Sequence, residues 1–132
     1  MNWKKNKYTV IKKAIDPSMA EFLKNYLLLK RKVLQTFMTT QYLSEFNTDW
    51  GTWADPQVPG TYSHYGDIAM ETLLSTLKPK MEKVTGTKLY ENYSYTRVYK
   101  VKDILRRHKD RFSCEISTTL NLGGDHEWPI YI

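Results

Sequence analysis

Met19, Phe22, Leu23, Tyr26, Leu27, Val33, Leu34, Phe37 and Met38 recur at three- and four-residue spacing, so one apolar face runs through roughly residue 42 of a long helix. The stretch "DPSMAEF" starts it, with Pro17 early and Ser18 three residues before Glu21 as a capping box. Before it, "KYTVIKKAI" alternates weakly and predicts a short strand. Ile68, Met70, Leu73, Leu74, Leu77, Met81 and Val84 predict a second helix, kinked at Pro79 and stopped at Gly86. Between the helices, residues 47 to 65 carry Gly51, Pro56, Pro59 and Gly60, which marks a long loop that Trp50 and Trp53 would anchor.

After Gly86 the period changes from the helical repeat to two. Residues 88 to 101, "KLYENYSYTRVYKV", predict a strand with Tyr93, Tyr95, Arg97, Tyr99 and Val101 on one face. Residues 112 to 122, "FSCEISTTLNL", alternate again, with Phe112, Cys114, Ile116, Thr118, Leu120 and Leu122 on one side. "GGD" at 123 to 125 is turn chemistry, and "HEWPIYI" begins a further strand. Helices first and strands afterwards argue for an α+β domain, helical over about 1–87 and β over about 88–132. The 45 residues from Lys88 to Ile132 suffice for three or four strands but not for a closed eight-stranded roll.

Composition narrows the classes. With 132 residues, 41% hydrophobic and 26% charged, the chain has the makings of one domain with a true core rather than a disordered tail. The net charge of +6 suits an anionic partner, but the cations are dispersed. Lys30, Arg31 and Lys32 read as the solvated face of the first helix. Cys114 is the only cysteine, which leaves no internal disulfide and no thiolate zinc site and points to a reducing cytoplasm. No stretch has the length of a membrane span, and the first ten residues lack the apolar core of a signal peptide.

The candidate chemistry lies in "RRHKDRF", residues 106 to 112. On extended chain, residues two apart point to one side about 7 Å apart, so His108 and Asp110 can converge on an ion. One imidazole, one carboxylate and a second imidazole make the facial triad that holds non-haem Fe(II). Alone the pair is weak, since a His and an Asp one residue apart among basic neighbours arise often by chance.

The frame around the pair is more specific. Arg97, Tyr99, Leu105, His108 and Asp110 fit R-x-Y-x-x-G-x-x-L-x-x-H-x-D, with Lys102 in place of the Gly. The stretch from Tyr95 to Leu122 thereby resembles the start of the double-stranded β-helix, or jelly roll, of Fe(II)- and 2-oxoglutarate-dependent dioxygenases of the prolyl 4-hydroxylase-like branch.

The resemblance implies several roles. His108 and Asp110 would be the first two iron ligands, while Tyr99 and Thr119 would line the 2-oxoglutarate site, and N-terminal helices would buttress an incomplete roll. It implies a hydroxylase of unknown substrate using Fe(II), 2-oxoglutarate and O2, with ascorbate as an auxiliary reductant. In the family the third ligand and the basic anchor for 2-oxoglutarate come from strands further on, so the chain reads as an N-terminal portion, inactive by itself and prone to self-association through an open sheet edge. His126, beside the Gly-Gly turn, reads as a surface residue, and His64 is a weaker ligand candidate still. Arg97 reads as a buried structural cation, with Glu115 as its expected partner.

The alternative is a non-enzymatic basic module, in which Tyr90, Tyr93, Tyr95 and Tyr99 with Arg97 and Lys100 contact nucleic acid or protein. No recognised RNA-binding motif occurs, and strand-spaced tyrosines usually pack, so nucleic acid ranks below the small-molecule or protein substrate of an oxygenase.

Overall fold

The computed structural model describes residues 2–132, an α+β chain of three helices and a two-stranded antiparallel sheet. Helix α1 is the short Trp3–Asn6, α2 is Pro17–Thr39, strand β1 is Tyr62–Tyr65, α3 is Ile68–Thr85 and β2 is Tyr95–Val98. No strand forms over "KYTVIKKAI".

Helix α2 starts two residues earlier than a Ser18 cap would place it. Proline at the first helical position lacks the N–H that a cap would satisfy, so Asp16 takes the capping role and its carboxylate accepts from the Ser18 N–H at 2.8 Å. Helix α3 is capped by Asp67, runs past Pro79 to Thr85, and stops as expected at Gly86, whose φ of 68° suits a residue without Cβ.

Leu23 and Leu27 of α2 pack with Met70 and Leu73 of α3, and Ile15, Leu77, Val98, Leu120 and Leu122 close around them. The buried stripe of α2 is Leu23, Leu27, Lys30 and Leu34, so a lysine lies in the middle of the core face. Phe22, counted on the apolar face from its spacing, is 71% exposed instead. The stripe at 23, 27, 30 and 34 is narrower than the sequence pattern, with Phe22 and Leu29 left facing solvent.

The expected loop before α3 holds a strand. Tyr62 pairs with Val98 and Tyr65 with Tyr95, which puts β1 ahead of α3 and makes the order of elements interleaved. Gly51 permits this packing: its φ is 114°, and a Cβ there would lie 2.5 Å from the Tyr62 ring. Trp50 meets Phe37 edge-on at 5.5 Å, and Trp53 lies 5.4 Å from Tyr62, so the two tryptophans fasten this segment to α2 and β1.

Downstream, the strand expected over 88 to 101 is confined to Tyr95–Val98, and residues 112 to 122 form no strand. Alternation supplies the face of a strand but not the neighbour whose N–H and C=O groups complete a ladder, and among the described residues β2 pairs only with β1. Phe112, on the same alternating side as Leu120 and Leu122, is 100% exposed, while those two leucines reach the core.

Candidate functional site

His108 and Asp110 lie on exposed irregular chain after β2. Their side chains meet, with His108 Nε2 3.3 Å from Asp110 Oδ1. The outer atoms are tethered: His108 Nδ1 lies 2.8 Å from the Arg106 carbonyl, and Asp110 Oδ2 accepts from Ser117 Oγ at 2.5 Å. The Arg106 carbonyl can only accept, so Nδ1 carries the proton of that bond, and Nε2 is the ring nitrogen turned to the Asp110 carboxylate. Two ligands about 2.1 Å from one ion at a right angle lie about 3 Å apart, close to the separation seen here. The pair thus supplies two donors, one short of the three-ligand set that holds non-haem iron.

The other two residues of the expected site are elsewhere engaged or open. Tyr99 stacks on Trp128 with ring centroids 5.0 Å apart, and Thr119 is exposed without a hydrogen-bond partner from its hydroxyl among the described residues. His126 is exposed and pairs with Asp125 at 2.9 Å, in keeping with a surface turn residue. Among the described residues no group of three His, Cys, Asp or Glu side chains gathers as a metal site.

Arg97 is a structural ion-pair cation, but its partner is Asp55 rather than Glu115. Its Nη2 donates to Asp55 Oδ2 at 2.8 Å, and the Tyr95 hydroxyl donates to the same oxygen at 2.5 Å. The pairing follows from register, since Ser63 opposite Arg97 brings the segment before β1 under that face of β2. Burial would raise the Asp55 carboxyl, but the bonds from Tyr95, the Gln57 N–H and Arg97 hold it below the usual carboxylate range.

The main concentration of buried charge was not expected as a site. Lys30 reaches from α2 to both Asp67 Oδ2 and His64 Nδ1, and the Tyr26 hydroxyl donates to Asp67 Oδ2 at 2.6 Å. Asp67 Oδ1 accepts from the Met70 N–H at 3.0 Å, so the same carboxylate caps α3. Because Lys30 donates to Nδ1, His64 is bound as an acceptor and hence as the neutral ring.

Burial first and the Lys30 charge second push the His64 pKa down, against weaker opposing pulls from Asp67 and Asp49. Burial would raise Asp67, but Lys30, Tyr26 and the Met70 N–H lower it overall, while burial and Asp67 push Tyr26 up to about 12. The signal in the sequence was position: Lys30 is three residues after Leu27 and four before Leu34, on the apolar stripe rather than a solvated face.

The tyrosine surface of the alternative reading is largely occupied internally. Tyr95 and Arg97 bind Asp55, Tyr99 stacks on Trp128, Lys100 pairs with Asp103 at 2.6 Å, and Tyr93 lies against Tyr65. Among the described residues no helix is long and apolar enough to cross a membrane.

Fold and sites together define a small α+β chain with a buried ionic cluster and an exposed, tethered His/Asp pair. No model of a known protein family matches it, and no curated protein or solved structure does so either.

Proposed function

We propose that the chain contributes the first half of the iron site of a 2-oxoglutarate-dependent oxygenase of the prolyl 4-hydroxylase-like branch. The observation that carries the reading is the 3.3 Å approach of His108 Nε2 and Asp110 Oδ1, with the far atom of each side chain tethered. In it β2 begins the roll, and a second imidazole and a basic anchor for 2-oxoglutarate complete the site. Bound Fe(II) would supply the chemistry that couples 2-oxoglutarate decarboxylation to hydroxylation by O2.

The chain's own residues have narrower tasks. The Arg106 carbonyl keeps the proton on His108 Nδ1, and the Ser117 hydroxyl steadies the non-ligating oxygen of Asp110. Tyr99, whose ring stacks on Trp128, would turn its hydroxyl to the 2-oxoglutarate side of the site.

Manganese(II) tests the proposal on the 132-residue chain, because a paramagnetic ion broadens NMR signals near its site whether or not turnover occurs. Broadening centred on residues 106 to 112, abolished by His108→Ala and by Asp110→Ala, is the expected result. Broadening centred on His126, or untouched by His108→Ala, would sink the reading.

A further inference from the structure

The exposed cations of the chain are not spread evenly. Lys102, Arg106, Arg107 and Lys109 are exposed within eight residues, and none has an ion-pair partner among the described residues. By contrast Lys30, Arg97 and Lys100 are bound to Asp67, Asp55 and Asp103. Two acids of this region are themselves engaged, Asp110 with His108 and Ser117, and Glu91 with Lys78 and Ser75.

A second chain segment lies beside this one. The Asn92 amide donates to Ser113 O at 3.1 Å and to Ser113 Oγ at 3.0 Å, and the Arg111 guanidinium lies 4.8 Å from the centre of the Tyr93 ring. The pinning places Tyr90 and Phe112 on neighbouring stretches, and both rings face solvent, 79% and 100% exposed. Lys78 and Lys88 flank the Tyr90 ring at 5.9 and 5.5 Å.

We propose that this surface, with Arg106, Arg107 and Lys109 shortly before Phe112 in the chain and the exposed Tyr90 ring, flanked by Lys78 and Lys88, on the stretch pinned to Ser113, is a docking site for single-stranded nucleic acid. Unpaired cations attract a phosphate chain by releasing its condensed counterions, and exposed rings stack on unpaired bases whatever their sequence. An acidic peptide would use the cations and leave the rings without a planar partner. A duplex hides its base faces and gains nothing from Phe112. The surface differs from the tyrosine face of β2, whose members are bound internally, because its rings lie on irregular chain outside any ladder.

The test is fluorescence anisotropy with a labelled oligothymidylate of about fifteen nucleotides, enough to fill a site of this kind. The 132-residue chain is titrated in EDTA, so the result is independent of iron and cannot be confused with failure of the oxygenase reading. Tight binding at about 50 mM salt should weaken linearly with the logarithm of salt concentration.

Replacing Arg106, Arg107 and Lys109 together with Gln should lower affinity at least about tenfold and make the salt slope shallower by about 2. Phe112→Ala and Tyr90→Ala should each cost about tenfold on the single strand and little on the duplex of equal length. The exposed pair Lys12→Gln/Lys13→Gln, carrying nearly the same charge loss far along the chain, should cost less than about twofold.

Equal loss from the Lys12/Lys13 pair would reduce the finding to net charge and overturn the proposal. So would duplex or polyglutamate binding as tight as the single strand, or single-strand binding indifferent to both rings. Far-ultraviolet circular dichroism of each variant reports whether the fold is kept, and an affinity loss in a folded Phe112→Ala variant is the decisive support.

Discussion

Two clusters in this molecule use the same alphabet of His, Asp and cation and put it to opposite ends. Around Asp67, the charges are buried and every buried side-chain nitrogen and oxygen among the described residues has a partner. Around Asp110, the pair sits in water, held by one carbonyl and one hydroxyl. The buried carboxylate joins α2 to the start of α3, so removing it disturbs the body of the fold, whereas the exposed one can lose its neighbour with little structural consequence. The His64 nitrogen that accepts from Lys30 has its lone pair taken, whereas His108 is held by a carbonyl on one nitrogen and turns the other to Asp110 at the surface.

The largest effect that would break this comparison is expected from Asp67→Ala. Lys30 would be left as an uncompensated buried cation and α3 would lose its cap, for a cost of about 3–5 kcal/mol in urea melts. Lys30→Met/Asp67→Asn together should be less destabilised than Asp67→Ala, because the charge and its countercharge leave together and Asn retains capping. A double variant as unstable as the single one, although it keeps a capping side chain and leaves no unpaired charge, would show that neither capping nor charge pairing dominates the loss.

Gly51→Ala should follow at about 2 kcal/mol or more, since the added carbon would overlap the Tyr62 ring and the backbone is at positive φ. Thermal melts check it, and a cost below about 0.5 kcal/mol would mean that the segment before β1 yields freely.

The pH dependence separates the clusters on a smaller scale. His64 has a folded pKa below its ordinary value, so the unfolded chain binds the extra proton first. Stability should be level above about pH 6.5 and fall as pH drops from there to the lowered folded pKa, where this contribution stops changing. Asp67, also lowered, adds a further loss as pH falls below about 4 towards its own folded pKa. His64→Gln should remove the upper step from chemical melts recorded between about pH 7 and 5. An unchanged step would assign it to another histidine.

The smallest expected effect on stability is that of His108→Ala, within about 0.5 kcal/mol, as for other exposed pairs. The same variant should abolish manganese broadening, and Ser117→Ala should weaken it by about tenfold in metal concentration through loss of the tether on Asp110.

The helices were legible because their signals are local. The spacing of Leu23, Leu27 and Leu34, the Asp-Pro start and the Gly86 stop all act within a turn or two of the chain, and α2 and α3 fall where that chemistry puts them. Of the candidate site, the juxtaposition of His108 and Asp110 was legible from a two-residue spacing. The location of Tyr99 was not, because its stacking partner Trp128 is distant in sequence.

The strands were half legible for a related reason. Alternation over 88 to 101 marks a chain able to form a ladder, but ladder length is set by the partner, and β1 offers only Tyr62–Tyr65. Sequence by itself therefore determined where the chain can be helical, where it can extend, and which residues share a face. Tertiary structure alone decided that Lys30 is buried against Asp67 and His64, that Arg97 takes Asp55, and that Phe112 faces water. Those outcomes depend on residues brought together across long stretches of chain, where desolvation and pairing are settled by the neighbour that arrives rather than by the residue's own preference.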